Sequence, residues 1–311
     1  KPLFLSFGDA GDMNMPVFPI TAIPLPIILT EPTIGVGKDR FRLIMAMVAK
    51  QLDTLAVMSR EAITEKHMPY IRHLMPQYSP GSLQTDDAIL GQVRAVELWD
   101  HPNITEEIDR LKVLYPNLLV SIILPATGRA AARCEALASA GAEILHLNAD
   151  NHAQGFDDAQ EKHLKDLIRE VHLGLVKAVL RDAVTLIASG GIAMAEHVAK
   201  AIICGTDCVA VDIPMLVALE CRLCKHCEDG DECPVDLGKI HERRGTQRIV
   251  NLMGAWNNQL LEVMGAMGLR EVRRLRGEVG RAMFFEDLEK EIFAPLFAVP
   301  PGSETLEREP N

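Results

Sequence analysis

Short runs that are apolar throughout alternate with stretches of helical periodicity along most of the chain. A strand exposed on one face alternates apolar and polar residues. A strand that is apolar along its length is covered on both faces, as in a parallel sheet flanked by helices. Seven such runs occur: Pro26–Thr30, Thr54–Met58, Ala95–Trp99, Leu118–Leu124, Glu143–Leu147, Val184–Ala188 and Cys208–Asp212. Between them helical spacing predicts Lys38–Leu52, Ile63–Leu74, Ile104–Leu114, Arg129–Ala140, Asp158–Leu180, Ala193–Ile203 and Met215–Glu220. Seven or eight such units within about 220 residues favour an α/β fold of the (β/α)8 TIM-barrel type over a doubly wound open sheet. An eighth strand is expected at Leu3–Phe7 or between Tyr78 and Val93.

Outside that alternation the pattern changes. Residues 1–20 read as an N-terminal extension, 21–220 as the barrel, 221–234 as a cysteine-rich loop, 235–298 as a helical extension and 299–311 as a polar tail. Gln247 to Glu289 has helical periodicity, and Leu269–Glu278 carries two acidic and four basic residues, as a solvated or subunit-facing helix would. The 311 residues include 43 acidic and 32 basic side chains, a balance of −11 that argues against a nucleic-acid binder, which needs a basic face. The longest apolar stretch, Pro16 to Thr30, is too short and too proline-broken to span a bilayer. With no charged-then-apolar leader, the expected location is the cytoplasm. The chain opens at Lys1, which leaves a longer native N-terminus open.

Four of the seven cysteines lie within thirteen residues, as Cys221, Cys224, Cys227 and Cys233 followed by Pro234. The spacing C-x2-C-x2-C-x5-C-P suits an iron–sulfur cluster, whose thiolates converge from a tight irregular loop closed by a more distant ligand. Zinc is the competing reading, but tetrahedral zinc sites use two separated C-x2-C knuckles, and here Cys224 would have to serve both. Free thiols or a disulfide are the third. Cys134, Cys204 and Cys208 fall on helix or strand patterns and read as core thiols.

The segment "LIASGGIAMAEHVAKAIICGTDCVAVDIPMLVALEC" resembles the seventh and eighth barrel strands of the glutamate synthase family, leading into its cluster cysteines. "NQLLEVMGAMGLREVRRLRGEVGRAMF" is similar to the helical segment after the cluster, "IPLPIILTEPTIGVG" to the first strand and its loop, and "QYSPGSLQTDDAILGQVRAVELW" to the middle of the barrel. The resemblance implies an oxidoreductase with FMN and an iron–sulfur cluster that makes glutamate from ammonia and 2-oxoglutarate. The family's three-iron spacing is close to that of Cys221, Cys227 and Cys233. Cys224 is an addition that supplies a fourth ligand, so a 4Fe–4S cluster is expected over 3Fe–4S.

A flavin phosphate needs backbone N–H groups at Gly-rich loops after the last two strands. Ser189, Gly190 and Gly191 suit that role, and an ordinary βα turn is the plainer alternative. Several positions depart from the family. Ile123 and Trp99 stand where it has lysines, "HLNADNHAQG" replaces a Gly-rich stretch, and Asp212 and Pro214 follow the last strand. A carboxylate repels a phosphate dianion, and proline has no N–H to offer. FMN binding is therefore left open. The alternative is a flavin-less barrel serving as an electron-transfer or scaffold subunit of a larger redox complex.

Candidate polar residues at the mouth are Glu31, Glu61, Glu97, Asp100, His101, His146, Asn148, Asp150 and His152. Catalysis is assigned first to His146, His152, Glu31 and Glu61, with helix capping as the plainer reading for the two glutamates. The expected partners are other redox subunits, ferredoxin-like or flavin/NAD(P)H-dependent, in a hetero-oligomer. Docking is expected on Asp158–Leu180 and on the basic run with Arg270, Arg273, Arg274 and Arg276.

Overall fold

The computed structural model describes residues 6–7, 13–14, 20–32, 38–224, 234–235 and 237–278. The chain divides into residues 1–277 and 278–311, and every element below belongs to the first unit. Eight parallel strands close into a barrel. They are β1 (Ile27–Thr30), β2 (Ala56–Ser59), β3 (Leu74–Tyr78), β4 (Ala95–Trp99), β5 (Leu119–Pro125), β6 (Ile144–Asn148), β7 (Thr185–Ser189) and β8 (Cys208–Val211). Each strand pairs with its sequence neighbours, and β8 closes the ring on β1 with Val209 opposite Ile27. The expected (β/α)8 barrel is present, and the open sheet is excluded.

The eighth strand is β3, not either of the segments expected from sequence. Ser6–Phe7 pairs antiparallel with Met13–Asn14 outside the barrel. Within Tyr78–Val93 only Tyr78 belongs to a strand. Pro76 hides β3 in the sequence, because proline inside a run reads as a strand breaker. It is tolerated because the ladder to β4 starts only at Gln77, opposite Glu97. The expected helix Ile63–Leu74 is instead two 3-10 segments, Arg60–Ala62 and Glu65–His73. Pro69 lies inside the second and has no N–H for an α-helical bond.

The helices around the barrel are α1 (Lys38–Leu52), α2 (Ile104–Leu114), α3 (Ala130–Ser139), α4 (Leu164–Lys177), α5 (Ala195–Cys204), α6 (Ile213–Ala218) and α7 (Glu242–Ala266). In α1 the residues Phe41, Ile44, Met45, Val48 and Ala49 are buried, the spacing of one helix face turned to the strands. The expected Asp158–Leu180 helix is shorter: a 3-10 turn, Asp157–Ala159, precedes α4. α7 packs on α1 and α5 through Ile249, Met253, Trp256, Leu260 and Met264. At Gly245 a Cβ would meet the Ile44 side chain at 2.7 Å, so glycine sets how closely α1 and α7 approach.

The run Leu269–Glu278 is not a helix. After α7 a left-handed Gly268 turns the chain into a 3-10 segment, Val272–Leu275, with Leu275 buried. Arg276 then donates to Asp207 and Asp182, both at 2.7 Å. It therefore clasps the amino-terminal end of the barrel, while Arg270, Arg273 and Arg274 of the same run are exposed. In the same clasp the buried Arg181 donates to the Gly205 carbonyl at 2.7 Å, to Asp207 at 2.8 Å and to His172 Nδ1 at 3.1 Å. Burial, with Arg181 and Arg276 nearby, holds the His172 pKa down. Burial does the same at His67 and His73, with Arg42 and Arg94 next in weight. These rings bind protons more readily in the unfolded chain, so stability is full above the usual histidine range. It falls as pH drops through about 6.5. The urea midpoint is expected to drop between pH 7.5 and pH 5.5, by less in His172→Gln.

Candidate functional site

Side chains alternate along each strand, so residues two apart share a face. Ile28, Val57, Met75, Ala95, Ile144, Ile187, Cys208 and Ala210 form one buried cluster that fills the barrel axis. Two residues further toward the carboxyl ends, the same inward face turns polar, with Gln77, Glu97, His146 and Ser189. Ser121, opposite Glu97 in register, completes this layer. It lies at the end of the barrel where loops carry chemistry in this architecture.

The layer is one hydrogen-bonded chain. Glu97, with none of its surface exposed, accepts from Gln77 Nε2 at 2.7 Å and from Ser121 Oγ at 3.1 Å. His146 Nδ1 lies 2.7 Å from the Glu97 carboxylate, and His146 Nε2 lies 2.8 Å from Ser189 Oγ. Ser189 in turn is 2.8 Å from Asn148 Oδ1, and Asn148 is only half-buried, so the chain ends at the mouth. Burial works to raise the Glu97 pKa. The charge and hydrogen bond of His146, with Gln77 and Ser121, outweigh it and hold the carboxyl below its usual range.

Of the four expected catalytic residues, only His146 belongs to this layer. Glu31 accepts two bonds from Arg42, at 3.0 and 2.9 Å, and one from the Ser59 amide at 3.0 Å, which ties the ends of β1 and β2 together. Glu61 is exposed and accepts from the Ser59 hydroxyl, which holds its pKa down. His152 is exposed in a turn closed on Asp150, whose Oδ1 accepts the His152 and Gln154 amides. Asp100 is held bidentately by Arg133, and His101 accepts from the Asn103 amide at the start of α2. Glu97 and Asn148, named only as mouth residues, are central. Gln77 and Ser121 were missed: Gln77 follows the proline that hides β3, and a serine within an apolar run carries no signal of its own.

Gly190 and Gly191 are left-handed, and a Cβ on either would strike backbone of the loop after β6, Ala149 at 2.3 Å and Ala153 at 2.4 Å. The glycines are therefore required for loop packing alone. They lie directly after β7, where the sequence places the expected phosphate loop. The Ser189 side chain turns inward, with Oγ 2.8 Å from His146 Nε2 and 2.8 Å from Asn148 Oδ1. Asp212 follows β8, with its pKa raised by burial, and Pro214 comes two residues later. Ile123, where a lysine was expected from the resemblance, is buried.

The chain leaves α6 through a left-handed Glu220, with the Cys221 amide bonded to the Leu216 carbonyl at 3.0 Å. A second left-handed residue, Leu223, turns the chain sharply between Cys221, which is half-buried, and Cys224, which is exposed. Arg248 of α7 fixes this exit by donating to the Ala218 carbonyl and the Glu220 carboxylate, both at 2.6 Å. Two cysteines three apart on a tight, partly open turn fit a thiolate-held cluster. Cys227 and Cys233 lie outside the described residues. Cys134 and Cys208 are buried core thiols, as expected, and burial pushes the Cys134 thiol up to about 12. No helix among the described residues is long and apolar enough to cross a membrane.

The closed ring of eight parallel strands, with its polar layer at their carboxyl ends, defines a (β/α)8 barrel. Its fold is shared by a mandelate oxidase variant solved with a monooxide FMN adduct (TM-score 0.57, 15% identity, 82% of this chain and 79% of that one). A flavocytochrome b2 variant shares it too (TM-score 0.57, 12% identity, 99% and 81%). The chain belongs to the glutamate synthase family: the model of the conserved region in glutamate synthase matches residues 93–270. It is 30% identical over 337 aligned residues to an archaeal-type glutamate synthase (NADPH) of Dehalococcoides mccartyi, covering 89% of this chain and 67% of that protein. The archaeal glutamate synthase (NADPH) of Archaeoglobus fulgidus is 30% identical over 190 residues, covering 56% of this chain and 37% of its own length. That of Methanocaldococcus jannaschii is 35% identical over 109 residues, and the match spans 21% of its length.

Proposed function

We propose that this chain is the barrel component of a glutamate synthase-type oxidoreductase, in which an imine formed from a 2-oxo acid and ammonia is reduced at the mouth. The observation that supports this most is the buried polar layer. A Glu97–His146 pair is costly to bury and unnecessary for a barrel that only holds subunits together. In this reading Cys221, Cys224, Cys227 and Cys233 hold a 4Fe–4S cluster that brings electrons to the barrel. The Gly190 and Gly191 amides hold the phosphate of FMN, which supplies hydride transfer when bound. Trp99 and the buried Ile123 keep water from the mouth, and Ser189 presents a hydroxyl to it. A separate ferredoxin-like or NAD(P)H-dependent subunit would supply the electrons.

Asp212 and Pro214 favour a second reading, a flavin-less barrel that passes electrons within a larger complex. A visible spectrum of anaerobically purified protein, with iron and flavin content, separates the two. Two resolved flavin bands over a brown shoulder support the first, and the shoulder alone supports the second. Protein with neither iron nor flavin overturns both. Asp212→Asn removes the carboxylate that follows β8. If that carboxylate repels the phosphate, FMN should bind about tenfold more tightly or better. Fluorescence titration with FMN measures this, and an unchanged affinity would remove Asp212 from the flavin site.

A further inference from the structure

We propose that the Glu97–His146 pair stores one proton inside the barrel and passes it through Ser189 to whatever polar atom of a substrate occupies the mouth. The argument is an accounting of donors and charge. Glu97 is completely buried and faces three groups, Gln77 Nε2, Ser121 Oγ and His146 Nδ1, so it is surrounded by donors, as an ionised carboxylate requires. Among the described residues no lysine or arginine reaches it. A bare carboxylate there would be an uncompensated buried anion, and the proton that neutralises it belongs to His146, itself 1% exposed.

With Nδ1–H committed to Glu97, the second ring proton sits on Nε2 and points at Ser189 Oγ, 2.8 Å away. The serine hydroxyl donates onward to Asn148 Oδ1 at 2.8 Å. Every donor then has an acceptor, and among the described residues the Ser189 hydroxyl is the exit from His146 toward the mouth. The Asn148 oxygen stands in for a substrate acceptor, such as a carbonyl oxygen or an imine nitrogen. When a substrate atom takes its place, the Ser189 proton moves to that atom and the His146 Nε2 proton moves to Ser189. A neutral imidazole beside the Glu97 carboxylate remains, and one proton from solvent later restores it. No electrons move in this step. His146 and Glu97 are positioning residues that act through Ser189.

The naming of an imine as acceptor rests on the proposed function. The stored proton does not, and it is tested without turnover. In protein labelled with nitrogen-15 in its histidine rings, one imidazole is expected to carry protons on both nitrogens at pH 8. That signal should be missing in His146→Gln and should become a neutral ring in Glu97→Gln. A His146 ring with a bare nitrogen at pH 8 overturns the proposal, whether or not the protein reduces an imine. Ser189→Ala removes one atom and keeps the fold, yet it cuts the exit. Exchange of the Nε2 proton with solvent should slow by about tenfold or more, the effect of raising a barrier by roughly 1.4 kcal/mol. Unchanged or faster exchange in Ser189→Ala also overturns the proposal. A stored proton in a protein that never reduces an imine would refute the function and leave the relay standing.

Discussion

Glu97→Leu is expected to destabilise the protein by about 3 to 5 kcal/mol, the usual penalty for removing one partner of a buried ion pair. For a domain of this size that is a fall of roughly 10 °C in melting temperature. The cause is specific: Glu97 and His146 have essentially no exposed surface, so the survivor cannot turn to water. His146→Leu should cost a similar amount for the converse reason. The double variant should lose much less than the sum, because two apolar side chains continue the apolar layer beneath them. A double-mutant cycle by denaturant unfolding reads the coupling directly. Strict additivity would mean that the two groups do not share a proton or a charge.

Cys221→Ala is expected to take anaerobically purified protein from about four irons per chain to none, because the thiolates that remain no longer include all three of the family's spacing. Cys224→Ser should behave differently. The resemblance assigns three irons to Cys221, Cys227 and Cys233, so losing Cys224 should leave a three-iron cluster with its own electron paramagnetic resonance signal. Metal analysis that finds zinc, or no iron, in the unaltered protein rejects the assignment outright. The three-iron signal in unaltered, strictly anaerobic protein rejects only the role of Cys224.

The barrel was legible in the sequence because seven of its strands are apolar along their length and lie between amphipathic helices. α1 and α2 match the expected bounds at both ends. β3 was not legible, since LMPQY combines a proline with a polar inward residue, and only pairing to β2 and β4 makes it a strand. The Leu269–Glu278 run misled because charge alternation describes a solvated helix. It cannot reveal that Arg276 finds Asp182 and Asp207 from far along the chain. At the site, His146 was recognisable by its place at the end of a strand. Glu97 and Ser189 were named for other roles, and their pairing with His146 was not legible, because Gln77, Glu97, Ser121 and Ser189 come from four other strands and meet only when the ring closes. Glu31 is the converse case, a carboxylate at a strand end whose charge is already spent on Arg42.

The closure of β8 on β1 sets a condition on how the chain is made. Val209 pairs with Ile27, so the first strand waits for roughly 180 further residues, about ten to forty seconds at ordinary rates of synthesis. Throughout that time the open side of Ile27–Thr30 is an adhesive edge available to any neighbouring nascent chain. Pro24 and Pro26 have no N–H to offer on the amino-terminal side of that edge, where Pro26 contributes only its carbonyl, to Val209. Their replacement by residues that can pair should therefore show itself first as lost soluble yield during expression, in protein whose finished form is as stable as before.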